Sequence, residues 1–461
     1  MRFRSQRHFL IIISCLCFSI FTAVRLNAAA VSAADKPELL FRLAGSNTVG
    51  GRLAPALVME YLRDLGAQNV HVVPSHIENE VRILGSQYGN DGSQSIAVDI
   101  SAHGSSTGFK WLNAGRADIA MSSRAIKQSE VKLLERFGDM NSFDNEHVIA
   151  IDGLAIIVHP DNSLNELSKP ILKRIFSGEI DNWRQLGGDD RAITLYARDD
   201  NSGTWDTFRS LVLGKKTALA SGASRYESNA ELSAQVEADR GGIGFVPLAA
   251  VAGSKLLAVS DRQTRAMKPE RINVATEDYP LARRLYLYSK SNIDNPHVDD
   301  FLSFVLSEKG QSIVENIGFI SQNIIAVEQQ ADSSAPAEYL QLTQQSKRLS
   351  VNFYFSPASA VLDNKGQRDL LRLEGYFASS DGKQRVSLVG FSDVRSKSSL
   401  EKVLAKHRAL MVKNKLIGKV ENIEPVMSLG AFMPIANNGD VVAKMKNGRV
   451  EVWVSSVPSS N

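Results

Sequence analysis

The sequence predicts an α/β protein, and three observations predict it. Apolar β-rich runs alternate with segments of helical spacing from Leu39 to Leu213, an order that fits α/β lobes with largely parallel sheets. Several of these runs end in turns rich in glycine, serine and threonine. A polar stretch, Val327–Arg348, reads as a linker, with a short helix near Ala337–Ser346, and separates this large part from a smaller one with its own strand–helix pattern.

The first 34 residues hold four arginines, an apolar run of about 15 residues (Leu10–Val24) and the small residues of "LNAAAVSAAD". The run is short of the roughly 20 residues that a membrane-spanning helix needs. Its basic, apolar, small order is that of a cleavable secretory signal over residues 1–34. Removing it takes away Cys15 and Cys17, which excludes disulfides, thiol catalysis and cysteine-based zinc sites from the mature chain. Four of the 53 Lys and Arg residues and none of the 50 acids leave with it, so 49 bases face 50 acids. The basic pI belongs to the leader, and no nucleic-acid partner is expected.

Within 35–326, "LLFRLAG", "SIAVDISAHG" and "ITLYARDD" predict strands, and "HVIAIDGLAIIVHP" contains two β-rich runs. "LAPALVMEYLRDLGA", "FKWLNAGRA", "LSKPILKRIFSG" and "SGTWDTFRSLVLG" predict helices. Three strand ends change in the same way. "AGSNTVG" supplies Gly45, Ser46, Asn47 and Thr48; "HGSSTG" supplies Gly104, Ser105, Ser106 and Thr107; "RDDNSGTW" supplies Arg198, Asp200, Ser202, Gly203 and Thr204. Glycine lets the backbone come close, hydroxyls donate, and the following helix presents unpaired N–H groups. One such loop is an ordinary helix cap. Three of them, one with an arginine, argue for convergence on one oxyanion.

Gly104, Ser106 and Gly108 also fit G-x-S-x-G, the elbow of many hydrolases. A nucleophilic Ser106 needs a histidine base and an orienting acid. His147, His159 and His297 lie downstream, but none sits in a recognisable loop, and His103 precedes the motif. The serine is read as holding a ligand. No catalytic residue, cofactor or metal site is expected.

From about Leu43 to Phe319 the chain resembles the periplasmic phosphate-binding proteins of bacterial ABC importers, the PstS-like proteins. Beyond the three loops, "GRADIAMSSR", "DGLAIIVHPDN", "IFSGEIDNW" and "GGIGFV" carry the resemblance. It implies a two-lobed type II periplasmic-binding-protein fold over 35–326 that closes on phosphate and docks on an ABC permease or a sensor. It implies ligand contacts from Thr48, the backbone of Val49, Ser105, Ser123, Arg198, Ser202, Gly203 and Thr204. Arg198 supplies the planar positive charge; Asp200 either orients it or is a solvated turn carboxylate. Val49 stands where family members often have an aromatic residue. Ser123 stands where many have an acid that accepts the proton of a protonated phosphate, so the filter against fully ionised sulfate is weaker. Arg124 either adds charge at the cleft or pairs with an acid outside it.

In 349–461, "LSVNFYFSPASAVLD", "RVSLVGFSD", "IEPVMSLG" and "RVEVWVSS" predict strands, while "NKGQRDLLRLEGYFAS" and "SSLEKVLAKHRALMVKNKLIG" predict helices. This part resembles the OmpA-like peptidoglycan-binding domain through "GFSDVRSKSSLEKVLAKHRA", "LGAFMPIANN" and "KNGRVEVWV". The resemblance implies a small α/β sandwich that binds the diaminopimelate stem peptide of a Gram-negative wall. Asp393 would take its ammonium and Arg408, 15 residues on, its carboxylate; alternatively the two only pair with each other. Glu401 and Ser396 depart from the family's usual Asn and Gly. The combined expectation is a periplasmic phosphate receptor tethered to peptidoglycan, and not an enzyme. The alternative is a structural, adhesive or signalling wall protein with a weak or lost ligand site.

Overall fold

A computed structural model describes residues 36–89, 92–200, 202–355, 361–379, 384–394, 397–437, 439 and 441–456. The leader at 1–34 and Ser396 lie outside the described residues. No helix among the described residues is long and apolar enough to cross a membrane.

The large part is built on one sheet of eleven strands. Its strands are β1 (Glu38–Gly45), β2 (Gln68–Pro74), β3 (Glu80–Gly89), β4 (Gly92–Ser101), β5 (Ile119–Ser122), β6 (Glu146–Val158), β8 (Thr194–Arg198), β9 (Ser224–Tyr226), β10 (Gly242–Pro247), β11 (Lys255–Leu256) and β13 (Ala282–Tyr288). The short strands β7 (Glu166–Ser168) and β12 (Ala258–Ser260) pair apart from it. The spatial order is β2-β3-β4-β1-β5-β13-β6-β10-β8-β9, with β11 on β6.

β6 joins the two halves of this sheet. Twelve of its thirteen residues are buried, as a central strand covered on both faces requires. Its first part pairs with β13 and its second with β10 and β11. The two β-rich runs expected in "HVIAIDGLAIIVHP" are therefore one strand. The largely parallel pairing expected from the sequence holds only in part. β1 is parallel to β4 and β5, and β8 to β9 and β10. β13 runs antiparallel to β5 and β6, and β6 to β10. The chain leaves the first half through β6 and returns through β13, so the two crossing strands run in opposite directions. β2 pairs antiparallel with β3, and β3 antiparallel with β4.

The small part is a five-stranded sheet, ordered β14 (Ala326–Val327), β15 (Lys347–Tyr354), β18 (Arg449–Ser456), β16 (Gln384–Gly390) and β17 (Met427–Ser428). The helices Asn364–Ala378 and Ser398–Leu416 cover one face through Leu373, Phe377, Val412 and Leu416. On the other face the helix Ala337–Gln345 places Tyr339 against Phe391 and Trp453. The strand expected in "IEPVMSLG" shrinks to Met427–Ser428.

The stretch 327–348 is packed. Tyr339 donates a hydrogen bond to Glu451 at 2.7 Å, and Arg348 is buried at the junction of the two parts. The small part touches the large part on two sides, at β6 and at the turn after β12. Arg368 donates to the Glu146 carbonyl at 2.8 Å on one side, and Asn437 donates its N–H to Asp261 at 2.9 Å on the other. Between these contacts, Arg284 of β13 bridges Glu277 at 2.9 Å and Asp363 at 2.7 Å.

Candidate functional site

β4, β1 and β5 lie side by side and parallel, so their carboxyl ends present three loops together. Backbone bonds stitch them: Gly104 N–H to the Gly45 carbonyl at 2.7 Å, and Ser46 N–H to the Met121 carbonyl at 2.9 Å. Gly45 has φ +139°, and a Cβ there would collide with the Met121 carbonyl, so only glycine fits. The Ser123 N–H donates to Ser105 Oγ at 3.2 Å. The fourth loop follows β8, where Ser202 Oγ caps the next helix by accepting from the Thr204 and Trp205 N–H groups. This loop meets the first one closely: a Cβ on Gly203 would overlap Thr48 Oγ1.

A cavity of about 520 Å³ opens there. Thr48, Arg198, Ser202, Gly203 and Thr204 line it, together with Arg52, Glu78, Asp199, Glu227 and Asn229. Five of the eight residues expected at the anion site thus share one cavity. Ser105 and Ser123 meet each other on the neighbouring loops and do not form its wall. Val49 is fully buried in the apolar core of the first half, and its side chain does not line the cavity.

Arg198 is held from several sides. It donates to the Tyr226 carbonyl at 3.0 Å, the Glu227 carbonyl at 2.5 Å, Asn229 Oδ1 and Asp199 at 3.5 Å. Burial pulls its pKa down, and Asp199 opposes that pull. The expectation that Asp200 orients Arg198 is corrected. The Asp200 side chain is 86% exposed and accepts from Arg225 at 2.5 Å. β8 ends at Arg198, so strand alternation no longer returns Asp200 to the arginine's side.

Arg124 takes the second of its two expected roles. It bonds both carboxylate oxygens of Glu130, at 2.7 and 2.8 Å, and Ser106 Oγ at 2.9 Å. Burial pushes the Glu130 pKa up, but Arg124 and the Lys127 N–H outweigh it and leave the carboxyl lowered. Ser106 donates to Glu130 at 3.2 Å, and no histidine partner of this serine is found among the described residues. His103 instead pairs with Glu80 at 2.9 Å, and His147 sits against Ser289 and Arg368. The serine–histidine geometry of a hydrolase is not assembled here. No metal-binding cluster of His, Cys, Asp and Glu is found among the described residues.

Two residues at the site were not singled out by sequence reasoning. Arg283 of β13 pairs with Asp152 of β6 at 2.8 Å, and it also donates to the Gly203 carbonyl at 2.9 Å and Thr48 Oγ1 at 3.1 Å. The signal was an aspartate inside the otherwise apolar run "IAIDGLAII".

In the small part, Asp393 follows β16 and Arg408 lies on the helix Ser398–Leu416. Their charged atoms are 4.0 Å apart and each side chain is only 3% exposed.

The PBP superfamily domain matches residues 79–309. Phosphate-binding protein PstS of Bacillus subtilis is 34% identical over 225 residues, covering 48% of this chain and 70% of that relative. This chain belongs to the PBP superfamily, as a PstS-like member. A second PstS-like relative, phosphate-binding protein PstS of Borreliella burgdorferi, is 26% identical over 237 residues, covering 50% of this chain and 82% of its own. A solved ABC-type phosphate transport receptor from Vibrio cholerae aligns with 61% of this chain and 99% of its own at 25% identity, with a TM-score of 0.47.

Proposed function

We propose that this PstS-like protein binds an inorganic oxyanion, phosphate, in the cavity between the Thr48 loop and the Arg198–Thr204 loop, for ABC-type uptake or sensing. The observation that carries the reading is the meeting of Thr48, Arg198, Ser202, Gly203 and Thr204 at one cavity, in a chain whose relatives are phosphate-binding proteins. The backbone of Val49, next to Thr48, and Ser105 and Ser123 on the neighbouring loops are further proposed donors, which would have to turn toward the anion because none of them lines the cavity. Function is binding without chemistry, with donors replacing the anion's water shell.

Ligand-induced stabilisation tests this. Phosphate at 100 times its dissociation constant adds about 2.7 kcal/mol, read as a raised melting temperature. A melting curve unmoved by millimolar phosphate would oppose it.

We also propose the division into a receptor module (35–326), a connecting segment (327–348) and a wall-binding module (349–461), with export of the chain to the periplasm. Asp393 and Arg408 are its proposed contacts with the diaminopimelate stem peptide, and their opposed charges suit a zwitterion. Their burial means that the wall peptide has to displace a cover. Retention on isolated sacculi, lost in Asp393→Ala, supports the tether; a protein that stays in solution opposes it. The second reading, in which this pair is purely internal and the small part serves as a structural brace, is favoured by the part-buried contacts of the small part with β6, with β13 and with the turn after β12.

A further inference from the structure

We infer that Arg283 is a clasp between the two loops that face the cavity, a positioning residue acting through Thr48 and Gly203. It rests on the phosphate reading for its ligand alone. Arg283 and Asp152 sit directly opposite each other on β13 and β6, the two strands that cross between the halves. Their side chains are 8% and 3% exposed. A charge pair this deep is retained at a desolvation cost unless further hydrogen bonds complete it. Here they do. Arg283 Nε and Nη2 hold Asp152, Nη1 donates to the Gly203 carbonyl, and Nη2 donates to Thr48 Oγ1. One side chain on a crossing strand therefore ties a loop of the first half to a loop of the second.

The direction of the Thr48 bond has a chemical consequence. A threonine hydroxyl has one proton and two lone pairs. Arg283 occupies a lone pair, so the hydroxyl keeps its proton for donation, which is what an anion ligand needs. Asp152 meanwhile balances the guanidinium charge, so the clasp adds order at the site without adding net positive charge.

The test uses the full mature chain with Arg283→Met, Arg283→Lys and Asp152→Asn, and Arg198→Ala as the control for the ligand reading. Amide hydrogen exchange is measured without ligand, and phosphate affinity by calorimetry from pH 5 to 9. Arg283→Met is expected to speed exchange at Thr48–Leu53 and Gly203–Leu213 while the rest of the sheet stays protected, and to raise the phosphate Kd at least tenfold. Arg283→Lys keeps the charge but cannot reach both loops at once, so it is expected to show the same local loosening. Asp152→Asn leaves the arginine charge unbalanced and is expected to steepen the gain of affinity with pH, as phosphate becomes a dianion. Unchanged exchange at the two loops, or loosening spread evenly over the sheet, overturns the clasp. If the wild type binds no phosphate, the ligand reading fails while the exchange measurement still decides the clasp.

Discussion

Arg348 of β15 and Asp278 of the large part face each other at 2.8 Å, each side chain 4% exposed. Asn352 Nδ2 donates to the other Asp278 oxygen at 2.8 Å, and Tyr354 donates to the Thr276 carbonyl at 2.6 Å. Burial alone would pull the Arg348 pKa down; Asp278 and Glu451 overcome it and hold the guanidinium charged. The two parts of the chain are joined by a buried polar network, and this has measurable consequences.

Asp278→Ala leaves Arg348 buried with half of its compensation gone. Losing one partner of a buried pair costs about 3–5 kcal/mol, so chemical denaturation should show a loss in that range, reduced by the remaining contact with Glu451 at 3.4 Å. Arg348→Met combined with Asp278→Leu should recover most of it. A loss below about 1 kcal/mol in the single variant would show that the junction opens to water.

His147 gives the junction a pH signature. Burial, and then the neighbouring Arg368, lower its pKa to about 3, against about 6.5 for an unfolded histidine. The unfolded chain takes up a proton below pH about 6.5 and the folded one does not until about 3. Stability contributed by the neutral ring is therefore full above the unfolded value and lost as pH falls toward 3. His147→Gln should flatten the fall in melting temperature between pH 6.5 and 4; an identical fall in both proteins would rule the residue out as its source.

The roles of the two neighbouring aspartates separate cleanly. Asp199 contacts Arg198, whereas Asp200 is turned to Arg225. Asp200→Ala should leave phosphate affinity within about twofold of wild type, while Asp199→Ala weakens it by an amount typical of a charge-assisted hydrogen bond, about 1.5–3 kcal/mol. The reverse order would restore the assignment made from sequence.

Most of the site's loops were legible because their chemistry is local. A glycine and hydroxyl run at a strand end announces itself in a single sequence, and Gly45, Thr48, Ser202 and Gly203 stand where that pattern placed them. What escaped depends on partners far apart in the chain. Asp152 and Arg283 are separated by 131 residues, and nothing local to either says that the crossing strands put them in register. Asp200 misled for the opposite reason: spacing suggested a partner that the turn after β8 removes. The segment 327–348 reads as a linker because its composition is polar, yet Tyr339 and Arg348 place their polar groups on Glu451 and Asp278. Composition reports polarity, and only topology reports whether it is satisfied by protein or by water.

Gly203→Ala tests the close contact of the two loops. The added Cβ falls on Thr48 Oγ1, so the loops must part, at the overpacking cost of about 1–3 kcal/mol. Phosphate affinity should fall more than tenfold, and pairing the change with Thr48→Gly should restore stability without restoring binding. Wild-type affinity in Gly203→Ala would contradict the contact.

The most direct test of the account is calorimetric titration of phosphate, then sulfate, into mature protein stripped of bound anion, alongside Arg198→Ala. The account predicts saturable one-to-one phosphate binding in the wild type that disappears in the variant. Absence of binding to either anion, or phosphate binding that Arg198→Ala leaves intact, would contradict it.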